Sequence, residues 1–526
     1  MSYMETNGFK YSVSVNPATG EEIGRTRENT VEELNQAVRN AAAAQPGWAA
    51  LGFSERKKRL LKIRDYITDN ADRISHTVSA NSGKTLMDAM STEVLNATMA
   101  INYYAKNGSK VLKRKRMKGG NILTVNKVSF VEHVPYGVIG IISPWNYPFA
   151  IPFHEVAMAL IAGNAVVLKV ASNTLEVGKI IKECVDAGGL PENVFTIMNL
   201  PGSIAGDAFI ESGINKLFFT GSVAVGKQLM KKASEKLLPI SLELGGNDAM
   251  IVCGDADIHR TVGGALWGGL SNTGQSCAGV ERIYVQSSIY NEFMSELKER
   301  ASKLRFGLPG DINAEMGSVT TQKQLNTIKE HVEDAVKKGG KVFSVEPPAS
   351  YKGFYHPIVI IEDITEDMIT VREETFGPVL AISKFDKIDK AIMMVNSSDL
   401  GLTASVWSTN RKKAKQIASK LEAGAITIND HLMSHGLAET PWGGFKNSGF
   451  GRTHSYLGLL SMTQPRVIID DILPGVKKDM WWHPYDQGVY DGLKGALEVL
   501  YSTKLDKKVN ASFKLVKTFL RSFRKN

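Results

Sequence analysis

Cysteine is scarce. Three residues, Cys184, Cys253 and Cys277, serve a chain of 526. They are too few for a disulfide framework and show no metal-ligand spacing, so a reducing, cytoplasmic setting is expected. Long apolar runs are missing too. A membrane span needs about 18 uncharged apolar residues, and the best stretch, Pro148 to Leu168, is broken by His154, Glu155 and Asn164. The opening residues have no apolar segment behind a basic head, so neither a secretory signal nor a spanning segment is expected. The 48 glycines follow no period, which excludes collagen-like and solenoid architectures.

Net positive charge is thin over most of the chain. Of the net charge of +9, the segment from Lys504 to Asn526 carries +7, with eight basic residues and one acid, Asp506. The remainder is close to neutral, which argues against nucleic-acid binding across the surface. What is present is an ordinary globular composition, 43% hydrophobic and 22% charged, long enough for about three domains or subdomains.

The first third reads as mixed structure with a helical bias. Thr30 and Glu33 form a capping box, and Val31, Leu34, Val38 and Ala41 follow at helical spacing until Pro46 and Gly47 stop the run. Helical patterns continue from Ser54 to about Tyr104, and residues 122–135 alternate as extended strand. From Tyr136 the texture changes. Short apolar runs at 137–142, 165–169, 194–198, 216–220 and 239–244 alternate with helix-like stretches. This indicates a parallel sheet with helices on both faces. Runs at 249–252 and 282–285 begin a second region of the same style, ending near Gly449, and a last strand is expected at 466–469.

Three features can carry chemistry. Cys277 lies in a polar, glycine-bearing segment that reads as a loop opening into a helix, where the dipole would favour a thiolate; taken alone it also fits a buried structural thiol. Glu243 ends an apolar strand beside Gly245 and Gly246, at the edge where open parallel sheets bind ligands; an exposed strand-end acid is the alternative. Gly221 to Gly226 follows a strand and precedes a helix expected near Lys227, a place where backbone can approach a phosphate. It is not a G-x-G-x-x-G fingerprint. Gly83-Lys84-Thr85 resembles the end of a P-loop, but Val78 stands where a glycine is required. His154 and Glu155 do not make H-E-x-x-H, because Met158 follows, and His431, His435 and His454 lack a convincing metal spacing. No metal is expected.

Six motifs occur in a fixed order: Ile142 to Phe149, Gly221 to Gly226, Glu243 to Gly246, Gly274 to Cys277, Glu374 to Pro378, and Pro441 to Gly449. Together they resemble the aldehyde dehydrogenase superfamily, over about residues 10 to 470. The resemblance implies an α/β subunit with a Rossmann-like cofactor domain (1–121 and 136–245) and a related α/β catalytic domain (246–449). It also implies a bridging, oligomerising sheet (122–135 and 460–472), followed by an appendage (473–526). A homodimer or homotetramer is implied as well.

The same resemblance assigns roles. Cys277 would be the nucleophile, Glu243 the general base, and Asn146 an oxyanion donor together with the Cys277 N–H. Collapse of the alkoxide would expel hydride to a nicotinamide and leave a thioester for water to hydrolyse. Trp145, Lys169, Ser172, Gly221, Ser222, Gly226, Glu374 and Phe376 would hold the cofactor. Ser172 stands where many NAD-preferring members carry glutamate, so NADP is expected to be accepted, alone or beside NAD. Tyr147, Ile151 and His154 would line an aldehyde tunnel, with Trp442 and residues 430–436 at its mouth. Aromatic and aliphatic walls favour an apolar aldehyde, long-chain ones included. A coenzyme A-acylating enzyme and a non-catalytic member of the fold are the alternatives, and the presence of Glu243, Cys277 and Asn146 argues against both.

The tail stands outside the resemblance. On a helical projection Phe513, Leu515, Val516, Phe519, Leu520 and Phe523 fall opposite Lys514, Lys517, Arg521, Arg524 and Lys525. Such a helix suits peripheral contact with an anionic membrane through residues 504–526, with Met480 to Tyr485 as a second interfacial segment. Packing onto the enzyme is the other reading.

Overall fold

A computed structural model describes residues 3–6, 8–473 and 475–523. The chain divides into two compact units, 1–112 with 135–464, and 113–134 with 465–526.

The larger unit holds two parallel sheets. In chain order the first contains β1 (Val138–Ile142), β2 (Ala165–Lys169), β3 (Phe195–Met198), β4 (Lys216–Thr220) and β5 (Ile240–Glu243). The second contains β6 (Asp248–Val252), β7 (Val280–Gln286), β8 (Lys341–Val345), β9 (Ile358–Glu362), β10 (Val379–Phe385), β11 (Thr403–Trp407) and β12 (Ala425–Ile428). Spatial order in the first is β5-β4-β1-β2-β3, with the short strand Gly449–Phe450 antiparallel on β5. The second runs β8-β9-β10-β7-β6-β11-β12, parallel except for β8. β1 and β2 are buried at every residue, because helices cover both faces. This is the α/β architecture expected from the sequence. In the first sheet the chain runs outward from β1 through β2 to β3, then returns to the other side of β1 for β4 and β5. That reversal opens a crevice beyond the strand ends.

Local details depart from the sequence reading. The first helix does not stop at Pro46 but runs from Val31 to Ala50. Long-range bonds hold its last turns: Gln45 Nε2 donates to Gly163 O at 2.8 Å and the Trp48 indole to Leu160 O at 3.0 Å. Tertiary anchoring offsets the missing proline N–H. The helix after β4 starts at Val223 rather than near Lys227, so Gly226 lies inside it, where an added Cβ would press on Leu244. Residues 122–135 are not extended throughout, since Ile122–Thr124 is a single 3₁₀ turn and the strand is Lys127–Pro135.

In the smaller unit that strand lies between Thr463–Asp471 and Lys115–Arg116. Lys127 Nζ bridges Asp471 at 2.5 Å and Asp479 at 2.8 Å. Two helices, Gln487–Tyr501 and Leu505–Arg521, pack along a seam of small residues in which Gly492 faces Thr518 and Gly495 faces Ala511. Phe513 stays 76% exposed and Val509, Val516 and Leu520 are exposed beside it, whereas Leu515 is half-buried. The expected apolar face is therefore shifted: Leu515 turns toward the seam, and Leu505 and Val509 extend the exposed stripe. Arg524 and Lys525, expected on the basic face, lie outside the described residues. Among the described residues no helix is long and apolar enough to cross a membrane.

Candidate active site

Glu243 closes β5, Asn146 follows β1, and Cys277 sits on the turn leading into β7. Cys277 is not at a helix N-terminus, contrary to the sequence expectation, because the segment after it enters a strand. The segment that follows Cys277 therefore offers no helix dipole to favour the thiolate. Burial, then the carboxyls of Glu374, Asp248 and Glu243, push the Cys277 thiol far above its ordinary range, against a lowering pull from its own backbone N–H. Three cavities converge on this partly exposed side chain.

The largest of the three, about 370 Å³, is lined by Trp145, Asn146, Gly221, Ser222, Glu243, Cys277, Glu374 and Phe376, among others. Eight residues singled out from sequence are thus brought to one groove. Ser222 is the N-cap of helix Val223–Glu235 and makes no side-chain cap bond, so the first helical N–H groups are available to a phosphate. Glu281 fixes the far wall by accepting the N–H groups of Thr375 and Phe376, both at 2.7 Å. Glu374 Oε1 accepts Gly246 N–H at 2.9 Å, and Trp145 meets Phe376 edge to face at 5.5 Å. Phe376 adopts a positive φ of 55°. The groove fits a dinucleotide. Lys169 and Ser172 do not line it. Both are buried at and beyond the end of neighbouring β2, where burial lowers the Lys169 ammonium to about 8 and the Ser172 hydroxyl has no partner among the described residues.

The second cavity, about 240 Å³, is a tunnel lined by Leu95, Met99, Tyr147, Ile151, Trp267, Leu432, Met433 and His435, ending at Cys277. Tyr147 and Ile151 were legible from the sequence. Leu95, Met99 and Trp267 were not, since they come from remote helices. The preceding turns, Ala89–Leu95, are π-helical, a form often found at functional sites. His154 and Trp442 lie elsewhere than expected. Both line the third, smallest cavity, with Glu155, Thr220, Glu243, His435 and His454. Trp442 is fully buried rather than at a tunnel mouth.

Ligand atoms of His154, His435 and His454 lie within 4.8 Å of one another. His154 Nδ1, however, pairs with the Tyr104 hydroxyl at 3.1 Å and Nε2 with Asn96 Oδ1 at 2.6 Å, while its ring stacks on His454 at 4.0 Å. These bonds occupy both coordinating nitrogens of one member. Burial keeps all three imidazoles neutral.

Asn146 is positioned by a network that sequence reasoning missed. Its Nδ2 donates to Gln275 O at 3.1 Å, which leaves a second N–H unused. Its backbone O accepts Lys84 Nζ at 2.8 Å and Asn272 Nδ2 at 2.9 Å. Lys84 pairs with Glu93 at 2.6 Å, both fully buried, and Glu93 Oε2 also accepts the N–H groups of Phe149 and Ala150. The lysine that looked like a failed P-loop is a support for Asn146. Two charged residues nine apart within helical patterns give no signal of this.

Residues 3–468 match the model of the aldehyde dehydrogenase family. A 4,4'-diapolycopene aldehyde oxidase from Methylomonas sp is 34% identical over 488 residues, covering 93% of this chain and 91% of the relative. A putative NADP(+) succinate-semialdehyde dehydrogenase from Mycolicibacterium smegmatis is 35% identical, covering 86% of this chain and 87% of the relative. Among solved structures, an NADP dependent enzyme of E. coli superposes with a TM-score of 0.84 at 30% identity, covering 88% of this chain and 95% of that one. An NAD-dependent aldehyde dehydrogenase from Sinorhizobium meliloti does so with a TM-score of 0.84 at 29% identity, covering 91% and 93%.

Proposed function

The chain belongs to the aldehyde dehydrogenase family, and from that premise we propose that it oxidises apolar, long-chain aldehydes to free carboxylic acids. The tunnel carries this reading. Its walls are mainly aliphatic and aromatic, with Ser91, Thr92, Asn96 and Ser276 as neutral polar members, and no lysine or arginine stands among its lining residues to meet a substrate carboxylate. His435, its one imidazole, is lowered to about 4 by burial and supplies no charge at neutral pH. A semialdehyde bearing a carboxylate would therefore lose hydration without gaining an ion pair. The likeness to a diapolycopene aldehyde oxidase, which covers 93% of this chain, points the same way.

The eight residues named in the groove then have tasks. Cys277 gives up its thiol proton to water, its Sγ adds to the aldehyde carbon, and the free Asn146 N–H and the Cys277 backbone N–H meet the alkoxide that forms. Trp145, Gly221, Ser222, Glu374 and Phe376 would hold a nicotinamide dinucleotide, which when bound would supply the hydride acceptor. Glu243 activates water against the Cys277 thioester, which favours hydrolysis over acyl transfer to coenzyme A. NADP is accepted, alone or with NAD: the residue three beyond Lys169 is Ser172, so no carboxylate stands there to repel a 2′-phosphate, although neither side chain lines the groove itself. One relative and one solved neighbour are named for NADP and another neighbour for NAD.

Residues 1–121 and 136–245 serve as the cofactor domain and 246–449 as the catalytic domain. The strands in 122–135 and 460–472 bridge subunits of a homodimer or homotetramer. The tail helix, with exposed Phe513, Val516 and Leu520 flanked by lysines, rests on anionic membrane where such aldehydes partition.

Rapid-mixing kinetics test the reaction. Cys277→Ala should give no reduced cofactor, and Glu243→Gln a burst of about one equivalent followed by a persistent thioester. Long-chain aliphatic aldehydes should exceed succinic semialdehyde in kcat/KM by at least about tenfold. The reverse preference would overturn the substrate assignment.

A further inference from the structure

The smallest cavity is also the most polar in its unmet needs. Its volume of about 20 Å³ suffices for one water, which needs two to four polar partners. Its lining supplies them. Glu155 Oε2, both carboxylate oxygens of Glu243, and His454 Nδ1 are buried and have no partner among the described residues.

Glu155 is the only charged residue of helix Ala150–Ala162, every residue of which is buried. A carboxyl kept there for structure would be paired, as Glu93 is with Lys84 and two backbone N–H groups. Glu155 has only a long bond from Thr220, at 3.4 Å.

We propose that Glu155 and Glu243 form a carboxyl pair that shares one proton across a single bound water, with Glu155 as the positioning residue that holds Glu243 ionised and oriented for the hydrolytic step. This rests on the reading of Glu243 as general base.

The surroundings decide where the charge resides. Facing Glu155 are Thr220 from β4, Glu243 from β5, its helix neighbour His154, and His435 and His454 from two later segments. The imidazoles are neutral, as shown by the downward shift that burial gives each. Burial raises both carboxyls, Glu155 to about 8, and the charge of Glu155 raises Glu243 further. Two carboxylates in one dry chamber cannot both ionise cheaply. Arg452 and the Trp442 indole, the latter outside hydrogen-bonding geometry, favour a charge on Glu243, whereas beside Glu155 only the long bond from the Thr220 hydroxyl does so. The guanidinium charge outweighs that long neutral bond, so within the pair the proton is assigned to Glu155, which donates through the water to Glu243. Ionisation of Glu155 adds a second negative charge next to the forming oxyanion and the departing thiolate, and this slows deacylation.

The test is the pH dependence of thioester decay on the full-length enzyme, measured after a single burst of reduced cofactor. In the parent enzyme the rate should fall as pH rises through about 8. Glu155→Gln, which stays neutral and can donate, should abolish that alkaline fall and leave the rate level to pH 9. Glu155→Leu, which cannot donate, should slow decay about tenfold or more at pH 7 and let the thioester accumulate. An unchanged alkaline fall in Glu155→Gln would overturn the pairing, as would decay at the parent rate in Glu155→Leu. A purely structural role would lower the amount of active enzyme in both variants without moving the profile, and this too counts against the proposal. Glu243→Gln separates the two ideas. Normal decay in that variant would refute the general-base reading itself, whereas an arrested thioester with parent-like Glu155 variants would refute the pair alone.

Discussion

At the scale of single residues, the site is held by charges that are buried and matched. Lys84 and Glu93 satisfy each other inside the protein while the lysine also fixes the carbonyl of Asn146. Removing one partner strands the other in a medium that cannot solvate it. Lys84→Met should therefore destabilise the fold by about 3–5 kcal/mol in urea titrations, and Lys84→Met with Glu93→Gln by less than the single change. Equal losses would mean that the pair is not energetically coupled. Cys277, proposed as the nucleophile, presents the opposite case, a thiol whose neighbours are acids. Its thiol is neutral at pH 7 without ligands, since burial and three carboxyls disfavour the thiolate. Alkylation by iodoacetamide should climb about tenfold per pH unit from 7 to 9 without a plateau. A plateau near neutrality would show that the thiolate is already formed.

At the scale of elements, the strands were legible because buried parallel strands are short apolar runs. β2 and β4 have the bounds expected from the sequence, and β1 and β3 each start one residue later. Helix ends were less legible. Pro46 reads as a stop, yet Trp48 and Gln45 carry the helix past it through bonds to residues more than a hundred positions away. The segment before Cys277 is another case of long-range control. Asn272, Thr273 and Gly274 all take positive φ, and a Cβ on Gly274 would fall on the Gly377 carbonyl. Glycine is required there by both the backbone and the space. Gly274→Ala should displace the cysteine loop from the segment carrying Phe376 and lower kcat/KM by at least about a hundredfold, given what small misplacements cost. Parent-like activity would show that the loop tolerates the shift.

At the scale of the whole molecule, charge and exposed apolar surface are concentrated in the smaller unit. The tail holds most of the net charge, and its exposed stripe runs through Leu505, Val509, Phe513, Val516 and Leu520. On vesicles containing anionic lipid, the full chain should co-sediment at low salt and release as salt rises. A chain ending at Ser502, or one with Phe513→Glu and Leu520→Glu, should remain in the supernatant. Equal sedimentation of all three would assign the tail another role.

The sequence by itself determined the strand and helix alternation, the family, and the presence of Cys277, Glu243 and Asn146, because periodicity and ordered motifs are local or linear properties. It also contained the tail's amphipathic pattern. Only the tertiary structure decided which residues share a cavity. Glu155 and Glu243 line one cavity, Lys84 supports Asn146, Leu95 and Trp267 line the cavity that ends at Cys277, and Trp442 is buried in the cavity of Glu243 rather than at an entrance. Each of these pairings joins segments far apart in the chain, and their geometry is set by how two sheets and their helices pack, which no local pattern encodes.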